Sequence, residues 1–165
     1  MKKLILLLAM FITVASFGQD GQRKSPHDTI RSTNASVTYG RPYKNGRNVF
    51  GELEKYGKVW RVGADEATTI TFNKDVKIGS ETIKAGTYTL FAIPNENEWT
   101  IILNSALGQW GAYSYVKTKD KDVAQVNVPT KQLDNAVEQL TIRFADNNAM
   151  IIEWDKTQVT VPLNF

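Results

Sequence analysis

Alternation of apolar and polar residues with a period of two is the feature that most constrains the fold of this chain. Successive side chains of a β-strand point to opposite faces, so such alternation predicts strands with one buried face. The sequence therefore predicts an all-β protein of about nine short strands. Their apolar residues are Val37 and Tyr39; Ile70 and Phe72; Val76 and Ile78; Tyr88, Leu90 and Ala92; Trp99, Ile101 and Leu103; Val126 and Val128; Leu140, Ile142 and Phe144; Met150, Ile152 and Trp154; Val159, Val161 and Leu163.

Turn-forming residues separate these runs, which indicates hairpin connections and antiparallel pairing. Without a long helical period or the spacing of parallel units, this pattern favours a single antiparallel β-sandwich, with a closed β-barrel as the alternative. At most two short helices are expected, at Gly51 to Tyr56 and Thr130 to Val137. The turns are at Lys44-Asn45-Gly46, Gly79-Ser80, Lys84-Ala85-Gly86, Pro94-Asn95-Glu96-Asn97 and Asp146-Asn147-Asn148.

The N-terminus has the pattern of a secretory signal peptide. A basic start at Lys2 and Lys3 precedes an apolar run from Leu4 to Val14 and the small-residue stretch that ends at Gly18. Cleavage is expected after Gly18, because the apolar run is short for a permanent membrane span. We therefore predict a signal peptide over residues 1–18, a flexible lead-in over 19–24, and one β-domain over 25–165 that is exported to a bacterial periplasm.

Composition excludes several classes of function. Without residues 1–18, 18 Lys and Arg face 17 Asp and Glu, so net charge gives no reason to expect nucleic-acid or anionic-lipid binding. The chain has no Cys, which rules out disulfides and thiol chemistry. Phosphate-binding loops and dinucleotide motifs are absent from the sequence, and no cofactor is expected. No apolar segment after residue 18 is long enough for a membrane span.

Several motifs that combine aromatic, charged and glycine residues are spread along the chain. They are Ser25-Pro26-His27, Arg41-Pro42, Phe50-Gly51, Trp60-Arg61-Val62-Gly63-Ala64 with Glu66 and Thr68, Ala85-Gly86-Thr87-Tyr88 through Ile93-Pro94, Trp99, and Trp110-Gly111-Ala112-Tyr113. Together these motifs resemble the secreted proteins of domain-of-unknown-function family 2911, found mostly in bacteria of the Bacteroidetes group. The resemblance covers about residues 25–162 and implies no established activity. Asp65 stands where the family pattern would have Asn.

Aromatic and charged residues in these motifs are candidates for ligand binding. Trp and Tyr beside glycines can offer flat stacking faces, whereas Arg and carboxylates supply directional polar contacts. Two alternatives remain: the Trp residues belong to the core, as is expected of Trp99, or Arg61 forms an internal ion pair with Asp65 or Glu66. The candidate binding residues are Arg41, Trp60, Arg61, Asp65, Glu66, Trp110 and Tyr113.

Catalysis has weaker support in the sequence. His27 is the only His, so a His-rich zinc site is excluded and no metal is assigned. The candidate catalytic residues are His27 and Glu66, but no nucleophile-elbow motif accompanies them. Asp65 and Glu66 are neighbours, so in an extended strand they would point to opposite faces and could not act together on one substrate.

These observations favour an exported, non-catalytic module that binds saccharide or peptidic material of the bacterial envelope. One alternative is a hydrolase or isomerase that uses His27 with Glu66 and Arg61. Another is a structural envelope protein that docks a protein partner through a strand edge.

Overall fold

A computed structural model describes residues 23–146 and 148–165, and within them the chain forms nine β-strands. The all-β, antiparallel prediction is confirmed. Two strands are much longer than the short ones expected. The strands are β1 (His27–Arg31), β2 (Ala35–Gly40), β3 (Thr69–Phe72), β4 (Val76–Ile78), β5 (Glu81–Ile83), β6 (Gly86–Ile93), β7 (Glu98–Asn104), β8 (Asp122–Ala145) and β9 (Ala149–Pro162).

Seven strands form one curled antiparallel sheet, a half-barrel, in the order β1-β2-β3-β6-β7-β8-β9, and β4 and β5 form a small second sheet. The 24-residue β8 pairs with β7 over its first part and with β9 over its second. Fully extended, β8 would span about 80 Å, far more than a domain with a radius of gyration of about 15 Å can accommodate. Irregular pairing around Val137 is where the β8–β9 ladder departs from a straight course.

The far part of β8 returns to the chain that follows β2. The Leu140 N–H donates to the Pro42 carbonyl at 3.0 Å, and the Lys44 N–H donates to the Glu138 carbonyl at 2.8 Å. Inside this junction the buried Tyr39 hydroxyl accepts a hydrogen bond from the Ile142 N–H at 2.9 Å. These bonds bring the β2 end of the sheet against β8, which curls the sheet around its core.

Four aromatic rings form the centre of that core. Trp60 stacks on Trp154 with ring centroids 6.0 Å apart, and Trp99 meets Trp60 edge-on at 5.7 Å. Phe50 packs against Trp99 at 4.7 Å and covers the group from the side of the 41–68 loop. The three indoles are almost fully buried. The cluster joins β7, β9 and the long loop between β2 and β3.

Both predicted short helices are wrong. Thr130 to Val137 lies inside β8, because Thr130 and Val137 pair with β9 and this pairing outweighs a weak local preference. Gly51 to Tyr56 forms turns, since Gly51 has a φ of 91° and its N–H donates to the Glu54 carbonyl. Within the described residues, the helical segments are two short 3₁₀ turns, Tyr115–Lys117 and Lys119–Lys121.

The predicted signal peptide lies outside the described residues. In the part of the chain that the structure covers, no helix is long and apolar enough to cross a membrane.

Tyr39→Phe should destabilise the fold by about 1–3 kcal/mol, because it leaves the buried Ile142 N–H without its acceptor. Urea unfolding at neutral pH measures this change. Tyr88→Phe is the matched control, since the Tyr88 hydroxyl donates to the Lys84 carbonyl at an exposed position where water can replace it. Equal stability losses in the two variants would contradict the role assigned to Tyr39.

Candidate functional site

Two long loops meet at the candidate site. The 41–68 loop connects β2 to β3, and the 105–121 loop connects β7 to β8. The Ala67 N–H donates to the Gln109 carbonyl at 2.9 Å, and the Gly111 N–H donates to the Asp65 carbonyl at 3.0 Å. Between these bonds Glu66 and Trp110 form an antiparallel bridge. Side chains of directly paired residues share one face, so Glu66 and Trp110 lie side by side.

The segment that carries Asp65 and Glu66 is fixed from behind by close backbone packing. A Cβ on Gly40 would overlap the Ala64 carbonyl oxygen, so only glycine allows the end of β2 to lie this close. On the other side, the Trp60 N–H and carbonyl pair with Ala92 of β6. The loop is therefore held between β2 and β6, which fixes the position of Asp65, which is buried, and of Glu66, which is partly exposed.

Asp65 and Glu66 converge on one imidazole. The His27 Nε2 lies 3.3 Å from a carboxylate oxygen of Asp65 and 3.4 Å from one of Glu66. The expectation that these neighbours point to opposite faces is wrong. Asp65 has a φ of 63°, in the left-handed region, so the backbone there is not extended. Such backbone strain is frequent at functional sites.

Asp65 also anchors the start of the domain. Its carboxylate accepts hydrogen bonds from the Lys24 and Ser25 N–H groups, at 3.2 Å for the closer Lys24 contact and 3.2 Å for Ser25. Burial alone would raise the pKa of Asp65, but these two bonds and the contact with His27 outweigh it and lower the pKa below its usual value. The residue therefore stays ionised.

Arg23 completes this group. Its guanidinium lies 2.7 Å from a Glu66 carboxylate oxygen, and this bond is the main reason that the pKa of Glu66 is lowered. The predicted lead-in thus supplies two residues, Arg23 and Lys24, that contact the site. Neither the strand pattern nor a motif indicated Arg23 in the sequence. Its partner Glu66 lies 43 positions away, and a contact between residues so far apart leaves no local sequence signal.

A cavity of about 120 Å³ lies beside this group, lined by His27, Glu66, Arg23, Thr38 and the Tyr39 ring among others. Small-molecule sites usually measure about 300–1,000 Å³. The cavity can take a small group projecting from a ligand, while the body of the ligand would lie on the surface outside it.

Arg41 has a different role from the one predicted. Its Nε donates to the Leu140 carbonyl at 3.2 Å, and its Nη1 contacts the Asp28 carboxylate at 3.3 Å. A third bond joins Nη2 to the Thr141 hydroxyl. These bonds tie β1 and β2 to β8, and they use three nitrogens that a ligand anion would need.

Arg61 lies near Gly111 of the 105–121 loop and not at the two carboxylates. Its Nη1 is 3.4 Å from the position that a Cβ of Gly111 would occupy, where the Tyr113 ring also approaches. The internal pair that was expected with Asp65 or Glu66 is wrong, since His27 and the 23–25 segment take those carboxylates. Among the described residues, the buried Arg61 Nε has no hydrogen-bond partner.

Glu54 is the acid whose charge interacts with Arg61, and it is not among the residues predicted from the sequence. Burial raises the pKa of Glu54 to about 7, although Arg61 and Arg47 lower it in part. Glu54 falls in the stretch predicted as a helix, and local sequence gives no sign that a carboxyl is partly buried there.

The aromatic candidates divide between core and surface. Trp60 is 3% exposed and packs against Trp154 and Trp99, so it cannot present a stacking face and that prediction is wrong. Trp110 is 42% exposed and Tyr113 is 79% exposed. Trp99 is fully buried, as expected of a core residue.

The structure also bears on metal binding. Over residues 23–146 and 148–165, no group of three or more His, Asp or Glu side chains is arranged to hold a metal ion.

Asp65→Ala should release the segment that precedes β1, because it removes the acceptor of the Lys24 and Ser25 N–H groups and places Ala at a positive φ. Trypsin cleavage after Lys24 is expected to speed up about tenfold or more, measured by mass spectrometry. Asp65→Asn keeps an acceptor and tolerates this φ, so it should cleave close to the wild-type rate. Unchanged cleavage of Asp65→Ala would refute the anchoring role.

Glu54 should make stability depend on pH. A carboxyl whose folded pKa is raised from 4.5 to about 7 contributes stability below pH 4.5 that is lost as pH rises through 7. The change is at most about 3 kcal/mol. Glu54→Gln should flatten this slope, so the variant gains stability relative to wild type between pH 5 and about pH 8. Chemical unfolding across this range, with the exposed Glu52→Gln as control, tests the sign.

Comparison with known proteins identifies the family. The model of a family described as proteins of unknown function (DUF2911) matches residues 22–163, which include both loops of the site. Searches of curated proteins and of solved structures found no match. The resemblance inferred from the sequence motifs is confirmed over nearly the whole chain. The chain therefore belongs to the DUF2911 family of proteins of unknown function.

Proposed function

We propose that this protein is an exported, periplasmic and non-catalytic module that binds saccharide or peptidic material of the bacterial envelope. The observation that carries this proposal is the pairing of the exposed Trp110 with Glu66 at the junction of the two loops. Tyr113 and Arg61 lie at the adjacent Gly111 and extend the same surface.

An exposed indole beside a carboxylate suits this class of ligand. Sugars combine an apolar ring face with hydroxyl groups, so an aromatic ring can stack on the first while charged side chains bind the second. The lowered pKa of Glu66 keeps it an acceptor at neutral pH. Close packing around Gly40 and Ala64 holds the loop in place before a ligand arrives, which reduces the entropy cost of binding.

A second candidate function rests on His27. Its Nε2 lies between two ionised carboxylates and beside a small cavity, an arrangement that could orient the ring as a general base toward a bound water in a hydrolase or isomerase. The same carboxylates also accept hydrogen bonds from backbone N–H groups and from Arg23. A site whose role is only to hold the start of the domain in place would have the same contacts. Arg61, the third member of the predicted catalytic set, instead lies beside Gly111 and Glu54.

Trp110→Ala should weaken binding of the protein to envelope material. Purified peptidoglycan is used for sedimentation and a soluble muropeptide for calorimetry, with the protein from residue 19 onward. We expect at least a tenfold loss of affinity, because the indole supplies the stacking face. Leu107→Ala is the control, since Leu107 is an exposed apolar residue of the same loop, 52% exposed, outside the Glu66 pairing.

The outcomes separate the alternatives. Binding that Trp110→Ala leaves intact would overturn the proposed surface, and no binding to either probe would favour a docked protein partner. Turnover of the muropeptide that His27→Ala removes would establish the enzyme in place of the binding module.

A further inference from the structure

A second cavity lies away from the Trp110 surface, between the 41–68 loop and the β8–β9 ladder. Its volume is about 570 Å³, within the range of small-molecule sites, and none of the candidate residues predicted from the sequence lines it. We propose that this cleft is a separate binding site for a short, uncharged oligosaccharide. The inference does not depend on the function proposed for Trp110.

The floor of the cleft is a fixed ion pair. Lys44 Nζ lies 3.2 Å from a carboxylate oxygen of Asp155, and both side chains are less than a fifth exposed. The other Asp155 oxygen accepts a hydrogen bond from the Val49 N–H at 3.3 Å. These charges satisfy each other, so the floor presents polar atoms without a strong demand for a charged ligand.

The backbone is distorted at this position. Asp155 has a φ of 51°, in the left-handed region, and it pairs with Val137 between two irregularities of the β8–β9 ladder. Bulges of this kind often redirect a side chain beside a binding site, and left-handed non-glycine residues cluster at functional positions. The distortion is what turns the Asp155 carboxylate toward Lys44 and the cleft.

Aromatic rings and neutral polar groups complete the lining. The Tyr56 ring is 44% exposed at the cleft, and Phe50 contributes a second ring from the core side. Gln132 and Thr157, paired across β8 and β9, add an amide and a hydroxyl. Lys44 and Lys156 nearly balance Glu52, Glu96 and Asp155, leaving a formal charge of −1. This combination matches an uncharged sugar better than a phosphate, an amine or a zwitterionic peptide.

Phe50 provides a direct readout of occupancy. It lines the cleft, and its ring packs against Trp99 at 4.7 Å and Trp60 at 5.7 Å. A ligand that moves or covers Phe50 should change the fluorescence of these buried indoles.

The test uses Trp110→Ala as the background, which disables the surface proposed above and removes its fluorescence. Cellotetraose, maltotetraose and chitotetraose are titrated by calorimetry and tryptophan fluorescence, with trialanine as the peptide probe. At least one saccharide should bind saturably, and 0.5 M NaCl should change its affinity less than twofold, because the ligand is uncharged. Tyr56→Ala should lower that affinity about tenfold through loss of the ring.

Two variants keep the result interpretable. Gln132→Ala, at an exposed strand position, should weaken binding several-fold without affecting the fold. Tyr43→Ala is the matched control, because Tyr43 is also 44% exposed and close in sequence but does not line the cleft. Absence of saccharide binding, binding of trialanine alone, or affinity that neither Tyr56→Ala nor Gln132→Ala changes would overturn the proposal. None of these results bears on the Trp110 surface, which this background lacks.

Discussion

The packing of four aromatic rings in the core is the interaction on which the rest of the structure depends. Trp99 comes from β7 and Trp154 from β9, whereas Phe50 and Trp60 come from the loop between β2 and β3. Each ring pair contributes about 0.5–1.5 kcal/mol beyond the area it buries. The cluster therefore makes a long loop as much a part of the core as the strands are.

This packing also has a cost. Within the described chain, the Nε1 groups of Trp60 and Trp99 are buried without hydrogen-bond partners, and each costs about 1–3 kcal/mol. Trp154 does not carry this desolvation cost, since its Nε1 donates to the Glu138 carbonyl at 3.3 Å. Burial of the large indole surfaces must outweigh the cost, and the fixed loop that results holds Asp65 and Glu66 beside His27.

Local pattern predicted most of the strands, but not β1 and β5, and it did not predict how distant segments meet. Alternation located residues such as Val37, Ile101 and Ile152, because burial of one face leaves a period that can be read directly. The position of Trp60 was not predictable this way, since it lies outside such a run and is buried through pairing with Ala92. The convergence of Asp65 and Glu66 depends on a left-handed φ at a non-glycine residue, which neighbouring residues do not specify. The cleft at Lys44 and Asp155 joins residues more than a hundred positions apart.

The length of β8 has a consequence for how the domain unfolds. β8 pairs with β7 along its first part and with β9 along its second part, so one continuous strand belongs to both ladders. The two ladders use different residues of β8 but follow one another without a break at Pro129 and Thr130. Trp99 of β7 and Trp154 of β9 also pack in one aromatic cluster with Trp60, so opening one ladder removes packing from the other. Slowly exchanging amides are therefore expected to share a single protection free energy across both ladders, as in one cooperative folding unit rather than two hairpins joined by a hinge.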